Sequence, residues 1–356
     1  MHFLPAWTGW QTAHAIDFEP YFQLGWQPAR VAAEFTDRYT LLTEQGESLA
    51  TLSGKLRFEA LGRQDLPAVG DWVAYQPSPG IGLIHALLPR HSCFERRMAG
   101  GQGVQIVAAN VDTVLIVQGL DSDFNLRRLE RTLIQAHASG AKPVIVLNKS
   151  DQHPDPEQCR LAAQAVAGNT PVVLLSALQG EGLNQLEPWL KTGQTLVLLG
   201  SSGVGKSTIT NVLCGFERMA TQANRQDDSK GRHTTTHRQL LPLTGGAWLI
   251  DTPGMRELHL WGDHEESLTA PFADIETLAA NCRYRDCAHA QEPGCAVQQA
   301  LEQGILDLRR WQSWQKLTRE QAYATRQANA DLARQERARW KKISKGAREH
   351  IRQKYR

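Results

Sequence analysis

Two textures of apolar and polar positions divide the chain. Between Ala29 and Met98, short runs such as "ARVAAEFTDRYTLLT", "ESLATLSGKLRF", "GDWVAYQP" and "GIGLIHALLPR" are closed by Gly, Pro or Asp. Their roughly ten-residue spacing predicts about five short strands and a small all-β barrel or sandwich. That size fits an oligonucleotide-binding barrel, although periodicity alone does not choose the topology. From Val104 the apolar runs become continuous: "TVLIVQ" (113–118), "PVIVLN" (143–148), "PVVLLS" (171–176) and "TLVLLG" (195–200), then "HRQLLPL" and "AWLID". Between them the pattern predicts a helix in "NLRRLERTLIQAHASG", with Asn125 as its N-cap, and helices near 156–168, 183–191 and after Lys206. Strands that are apolar throughout and alternate with helices imply a parallel sheet buried on both faces. Ligands on such sheets sit at the carboxyl ends of the strands. Beyond Gly262 no strand pattern appears, and helical stretches follow a cysteine cluster.

Composition adds boundaries. With 41% apolar and 21% charged residues in 356, the chain reads as a globular protein of two or three domains. No apolar run approaches the ~18 residues of a membrane helix, and the first residues lack the basic and apolar regions of a signal peptide. A cytoplasmic protein without a membrane partner is therefore expected; a monomer is expected as well. Residues 1–29 carry Trp7, Trp10, Phe18, Tyr21, Phe22 and Trp26 but no Lys or Arg, and are expected to pack on a neighbouring domain. The net charge of +2 conceals an asymmetry: residues 331–356 hold ten Lys/Arg against three Asp/Glu, so this tail carries +7 and the rest −5. Such a run grips nucleic-acid backbone or simply solvates a face.

The chemistry gathers at the predicted strand ends. Gly200, Gly205, Lys206 and Ser207 match G-x-x-x-x-G-K-[ST], with a strand before and a helix after. The whole segment Gly200, Ser201, Ser202, Gly203, Val204, Gly205, Lys206, Ser207 and Thr208 is the expected phosphate cradle. Lys206 would reach the β- and γ-phosphates, and the Ser207 hydroxyl would ligate Mg²⁺. "IDTPG" supplies Asp251 for Mg²⁺ and the Gly254 N–H for the γ-phosphate. In "NKSD" (Asn148, Lys149, Ser150, Asp151) the Asp151 carboxylate takes both the N1–H and the 2-amino group of guanine, a donor pair that adenine lacks. Asn148 would tie this loop to the cradle, and the Lys149 stem would lie along the base. In the next loop, Ser176 and Ala177, the Ala177 N–H would meet guanine O6. "GRHTTTH" lies where a switch loop belongs, so one of Thr234, Thr235 and Thr236 would complete the Mg²⁺ shell. Met255, after the DTPG run, cannot orient water, which leaves His233 as the candidate for ordering the attacking water. Its alternative is a surface histidine beside Arg232.

Cys282, Cys287, His289 and Cys295 fall within fourteen residues. Three thiolates and one imidazole suit a closed tetrahedral Zn²⁺ site; reduced structural cysteines beside a surface histidine are the alternative. Cys93, Cys159 and Cys214 have no such company and read as core.

The base-reading tetrapeptide precedes the cradle, the reverse of the usual GTPase order, as though the chain were cut after DTPG and rejoined. The order NKSD, SAL, GSSGVGKST, HTTT, DTPG, with "GDWV" and "FNLRRLERTL" before and the Cys/His cluster after, resembles a known group. It is similar to the circularly permuted, ribosome small-subunit-dependent GTPases of the ribosome-maturation GTPase A family, over about residues 30–330. The resemblance implies an α/β protein with an N-terminal β-barrel of oligonucleotide-binding type (30–100) after an arm (1–29). A circularly permuted P-loop GTPase (104–262), a helical zinc domain (263–330) and the basic tail (331–356) follow. It also implies GTP hydrolysis to GDP with Mg²⁺, one structural Zn²⁺ per chain, and a late role in small-subunit maturation. The partner would be the small ribosomal subunit and its rRNA, with turnover stimulated by that subunit. Two rival readings are a small-molecule kinase or ATPase, opposed by NKSD, and a zinc-containing RNA-binding protein whose GTPase fold is only structural, opposed by the intact Lys206, Ser207 and Asp251.

Overall fold

The computed structural model describes residues 8–97, 104–121, 123–215, 238–251, 272–284, 287–290, 292–308, 310–312, 314, 315 and 318. The chain forms two units, one of 1–60, 66–96 and 105–258, the other of 61–65, 97–104 and 259–356.

The first unit opens with α1 (Thr12–Phe22), then β1 (Gln27–Glu34), β2 (Tyr39–Thr43), β3 (Gly46–Leu52), α2 (Gly54–Glu59), β4 (Trp72–Gln76) and β5 (Gly82–Leu87). The strands close in the order β1-β2-β3-β5-β4, with β4 returning to β1. All pairs are antiparallel except β3 with β5, so the closed barrel has no free edge in this circuit. Alternation along β4 explains why it is buried on both sides. Val73 and Tyr75 point into the barrel with Val31, Leu41 and Ile84, whereas Trp72 and Ala74 face outward and meet Trp10 and Phe18 of the arm and helix α1. Of the aromatic residues of the arm, Trp10, Phe18, Tyr21 and Trp26 thus pack on the barrel, while Trp7 lies outside the described residues. One expectation fails here. "ESLATLSGKLRF" is not one strand: β3 stops at Leu52, and the Ser53 hydroxyl accepts the Leu56 N–H at 3.2 Å, capping α2.

A two-stranded piece, β6 (Cys93–Arg97) with β7 (Val104–Ala109), leads into the nucleotide-type fold. Cys93 is half-buried rather than core, unlike Cys159 and Cys214. There follow β8 (Thr113–Gly119), α3 (Leu126–Ala138), β9 (Lys142–Asn148), α4 (Pro156–Ala167), β10 (Val172–Leu174), β11 (Thr195–Leu199), α5 (Lys206–Cys214), β12 (Gln239–Pro242) and β13 (Trp248–Asp251). Asn125 caps α3 by accepting the Arg128 N–H at 3.0 Å. The expected helix near 183–191 is a 3-10 helix, Leu183–Trp189, with Pro188 inside it, a residue that cannot donate the N–H an α-helix needs. Sheet order is β10-β9-β8-β11-β13-β12, parallel except for the β12–β13 pair. Val114 and Ile116 of β8 pack with α3 on one face, and Leu115 and Val117 pack with α5 on the other. β12 also pairs with β1, through Ala33 and Gln239, so barrel and sheet share one hydrogen-bonded ladder.

A buried arginine reinforces that junction. Arg30 of β1, 1% exposed, donates to the Thr8 carbonyl (2.6 Å) and to Thr195 Oγ1 at the start of β11 (2.6 Å), with the Trp72 ring 4.9 Å from its guanidinium carbon. Burial lowers its pKa to about 10, with Asp112 and Asp71 opposing the fall.

In the second unit, α6 (Ala273–Ala280) and α7 (Ala296–Glu302) flank the Cys/His segment. Phe272, Ile275, Val297, Leu306 and Trp311 are buried. Arg310 forms a two-bonded pair with Asp274 (2.9 and 3.0 Å) and lies over the Phe272 ring.

Candidate functional site

Parallel register brings the motif loops to one edge of the sheet. Gly119 of β8 stands opposite Asn148 of β9, and Leu174 of β10 opposite Leu147. Leu199 of β11 pairs with Ile116, and Ile250 of β13 with Val197. The NKSD loop, the Ser176–Ala177 loop, the phosphate loop and Asp251 therefore all leave carboxyl ends of adjacent strands.

Asn148 joins three of these loops. Its Nδ2 donates to the Val204 carbonyl of the phosphate loop at 2.8 Å, and its Oδ1 accepts the Ala177 N–H at 3.0 Å. The side chain is buried, where unmet amide groups would be costly, and both ends are satisfied. The Ala177 N–H, expected at guanine O6, is thus engaged by Asn148 in this structure. Lys149 adopts a left-handed backbone (φ +63°), and Ser150 and Asp151 open the short turn Ser150–Gln152 with Asp151 exposed. The Ser150 N–H donates to the Leu175 carbonyl at 3.2 Å, fastening this loop to the neighbouring one, where Ser176 exchanges backbone hydrogen bonds with Glu181.

The phosphate loop has the form its glycines require. Gly205 has φ +97°, and a Cβ there would stand 2.1 Å from Asn148 Nδ2. Gly200 has φ +150°, and its Cβ would meet the Val117 carbonyl oxygen at 2.2 Å. No side chain caps α5 at Gly205, so the helix N-terminus offers its dipole and first-turn N–H groups to an anion. The Lys206 ammonium donates to the carbonyls of Gly200 (2.6 Å) and Ser201 (2.5 Å), which holds it across the loop. Ser207 and Thr208 lie in the first turn of α5, while Ser202 and Gly203 are exposed at the tip. Asp251 ends β13, half-buried. With Val197 opposite Ile250, Asp251 is level with Leu198, near the end of β11 from which the phosphate loop leaves. His233, Thr234, Thr235, Thr236, Gly254, Met255 and the basic tail lie outside the described residues.

One residue escaped the sequence reading. Asp121, just past the end of β8, places Oδ2 2.5 Å from Lys149 Nζ, and the Lys149 hydrogen bond holds its carboxyl below the usual range. An acidic residue following an apolar parallel strand was the available signal.

In the second unit, Cys282, Cys287, His289 and Cys295 bring their ligand atoms within 4.8 Å of one another, and the group could hold a metal ion. Cys282 Sγ and Cys295 Sγ are 3.8 Å apart, and each is 3.5 Å from His289 Nδ1. His289 has a left-handed backbone (φ +56°). Its carbonyl accepts from Gln298 of α7 at 2.6 Å, and its ring stands edge-on to Trp311 and Trp314.

Comparison with known proteins agrees with this arrangement. The family model described as RsgA GTPase matches residues 87–261. A second model, ABC transporter, matches 183–351, a span that omits the NKSD loop. The chain is 51% identical to the small ribosomal subunit biogenesis GTPase RsgA of Opitutus terrae, covering 96% of this chain and 97% of that protein. It is 47% identical to the protein of the same name from Syntrophotalea carbinolica, covering 90% of each. Among solved structures it is similar to YjeQ from Thermotoga maritima (TM-score 0.63, 28% identity, 83% of this chain and 98% of that one). It is also similar to YloQ, titled a circularly permuted GTPase (TM-score 0.59, 25% identity, 83% and 94%).

Proposed function

The chain belongs to the RsgA GTPase family, and from that premise we propose that it hydrolyses GTP to GDP as a factor in the biogenesis of the small ribosomal subunit. The observation that carries the nucleotide half is the Asn148 side chain, which links the base-reading loop, its neighbour and the phosphate loop at one sheet edge. In this reading Asp151 selects guanine, and the backbone of Gly200–Thr208 cradles the phosphates. Lys206 neutralises their charge as the leaving oxygen develops it. Ser207, in the first turn of α5, and Asp251, at the end of β13, would hold Mg²⁺, which would supply positive charge against the phosphates. A threonine among Thr234, Thr235 and Thr236 would complete its shell, Gly254 would meet the γ-phosphate, and His233 would order the water.

The metal of the Cys/His group is zinc in this reading. A tetrahedral site with Zn–S of about 2.3 Å and Zn–N of about 2.0–2.1 Å has S···S edges of about 3.8 Å and S···N edges of about 3.6 Å. Among Cys282, Cys295 and His289 the distances, 3.8 and 3.5 Å, are close to those edges, and Cys287 brings the four donors together within 4.8 Å. With no ligand position left open its role is structural.

The finer assignments belong to the same proposal: a late step of maturation, rRNA contacts through the barrel and the basic tail, a monomeric protein working in the cytoplasm. No helix among the described residues is long and apolar enough to cross a membrane. GTP turnover measured with and without purified small subunits tests the whole. Turnover of GTP but not ATP, accelerated by small subunits and not by large ones, is the expected result; equal use of ATP, or indifference to the subunit, would overturn it.

A further inference from the structure

The guanine loop is steadied by a residue outside every GTPase motif of the chain. Lys149 and Asp121 stand at the ends of neighbouring strands. Gly119 and Asn148 are the last paired residues of β8 and β9, and the Leu120 N–H continues the ladder to the Asn148 carbonyl at 2.8 Å. One step further, Lys149 Nζ meets Asp121 Oδ2 at 2.5 Å, with the two side chains 23% and 32% exposed and so partly withdrawn from screening water. The carboxylate is itself anchored, since Oδ1 accepts the Asp123 N–H at 3.2 Å. Gly119 leaves the room: a Cβ there would stand 2.8 Å from Asp121 Oδ1 and 3.6 Å from Lys149 Cδ.

The backbone of this loop does not depend on the pair. It is held by the Leu120–Asn148 bond, by the Ser150–Leu175 bond and by the two hydrogen bonds of the Asn148 side chain. What the pair adds is a fixed far end for the Lys149 side chain. A lysine stem is among the most mobile side chains, and ordering it upon ligand binding weakens affinity. With its root set by a left-handed backbone and its tip by Asp121, the stem is ordered before any ligand arrives.

We propose that Asp121 is a positioning residue for guanine: it pins the Lys149 ammonium so that the aliphatic stem forms a pre-set wall for the base. This rests on the GTPase reading above and adds to it a residue beyond the base-reading tetrapeptide. The wall touches only the base, so Asp121 acts alike on GDP and GTP and leaves phosphate chemistry alone.

Calorimetric titration of the full-length protein with GDP, and steady-state GTP hydrolysis, test the idea with Asp121→Ala, Asp121→Asn, Lys149→Ala and the Asp121→Ala/Lys149→Ala double variant. Asp121→Ala is expected to weaken GDP, and to raise KM for GTP, by a similar factor of roughly three to ten, with kcat moving far less. Asp121→Asn, which keeps an acceptor in the same shape, should lose less and carries the test if the alanine variant folds poorly. In the Lys149→Ala background the Asp121 substitution should cost nothing further. Unchanged GDP affinity in Asp121→Ala, or additive losses in the double variant, would overturn the proposal while leaving the GTPase reading intact. Wild-type protein that does not prefer GDP to ADP would instead remove the GTPase reading itself.

Discussion

At the scale of single residues the site divides into groups that recognise and groups that hold. Asp151 is exposed in the NKSD loop, and in the proposed reading its carboxylate distinguishes guanine by donor pattern. Asp151→Asn should weaken GTP roughly 10- to 100-fold by losing a charge-assisted hydrogen-bond pair. The same variant should gain xanthosine triphosphate, whose 2-carbonyl accepts from the new amide; competition between the two nucleotides measures the exchange. Asn148 belongs to the holding group, and its side chain gives a reason for Gly205: a Cβ there would stand 2.1 Å from Asn148 Nδ2. The residues proposed to recognise the nucleotide stood out in the sequence because each sits in a short pattern of fixed spacing. Asp121 was not, since its partner Lys149 lies 28 positions away and only strand register brings the two together.

At the scale of elements, strands buried on both faces announced themselves as continuous apolar runs, and β8, β9, β11 and β13 fall where those runs lie. Errors came where local signals competed. The apolar alternation of "ESLATLSGKLRF" runs on past Ser53, yet that hydroxyl caps a helix, and Phe58 ends 83% exposed on it. Helix α1 carried no chemistry that the sequence reading recognised, but it contains a pH-sensitive group. His14 is buried against Trp10 and Trp72, and its Nδ1 accepts the Gln11 N–H at 3.0 Å. Burial, aided by His91 and Arg30, lowers its pKa to about 4 from the ordinary 6.5. The unfolded chain therefore takes up this proton first as pH falls, so the stabilisation is complete above about pH 6.5 and is lost progressively towards pH 4. Thermal unfolding between pH 7 and 4 should show a declining midpoint that His14→Phe flattens, provided the ring is accommodated against the two tryptophans.

At the scale of the whole molecule, the two units hold different kinds of site. The nucleotide loops belong to the unit made of 1–60, 66–96 and 105–258, and the Cys/His group to the other. Their metals should be separable. Cys282→Ser, which removes a thiolate within 3.8 Å of Cys295 Sγ and 3.5 Å of His289 Nδ1, should cost most of the bound zinc in metal analysis of the purified protein. GDP affinity should stay within about twofold, because the four Cys/His residues and the motif loops of the sheet belong to separate units. Loss of GDP binding together with zinc would mean that the metal supports the nucleotide unit as well. The barrel is bound to its sheet by contacts that no local pattern could reveal, Arg30 reaching Thr195 across 165 positions.

The strand order has a consequence for how the protein is made. In the sheet β10-β9-β8-β11-β13-β12, the strand bearing the phosphate loop, β11, fills the place beside β8, yet it is synthesised after β8, β9 and β10. During elongation at about 5–20 residues per second, the β8 edge stays unpaired for roughly 4–15 s, the time needed to make the chain from Gly119 to Thr195. An apolar strand open on one side is a template for pairing with other chains, so the nascent protein passes through a sticky stage. Nucleotide cannot relieve that stage, because the loop that binds its phosphates follows the strand that closes the gap. Prematurely terminated chains ending before Thr195 lack both β11 and the loop that follows it, and present that open edge to whatever protease or chaperone meets them.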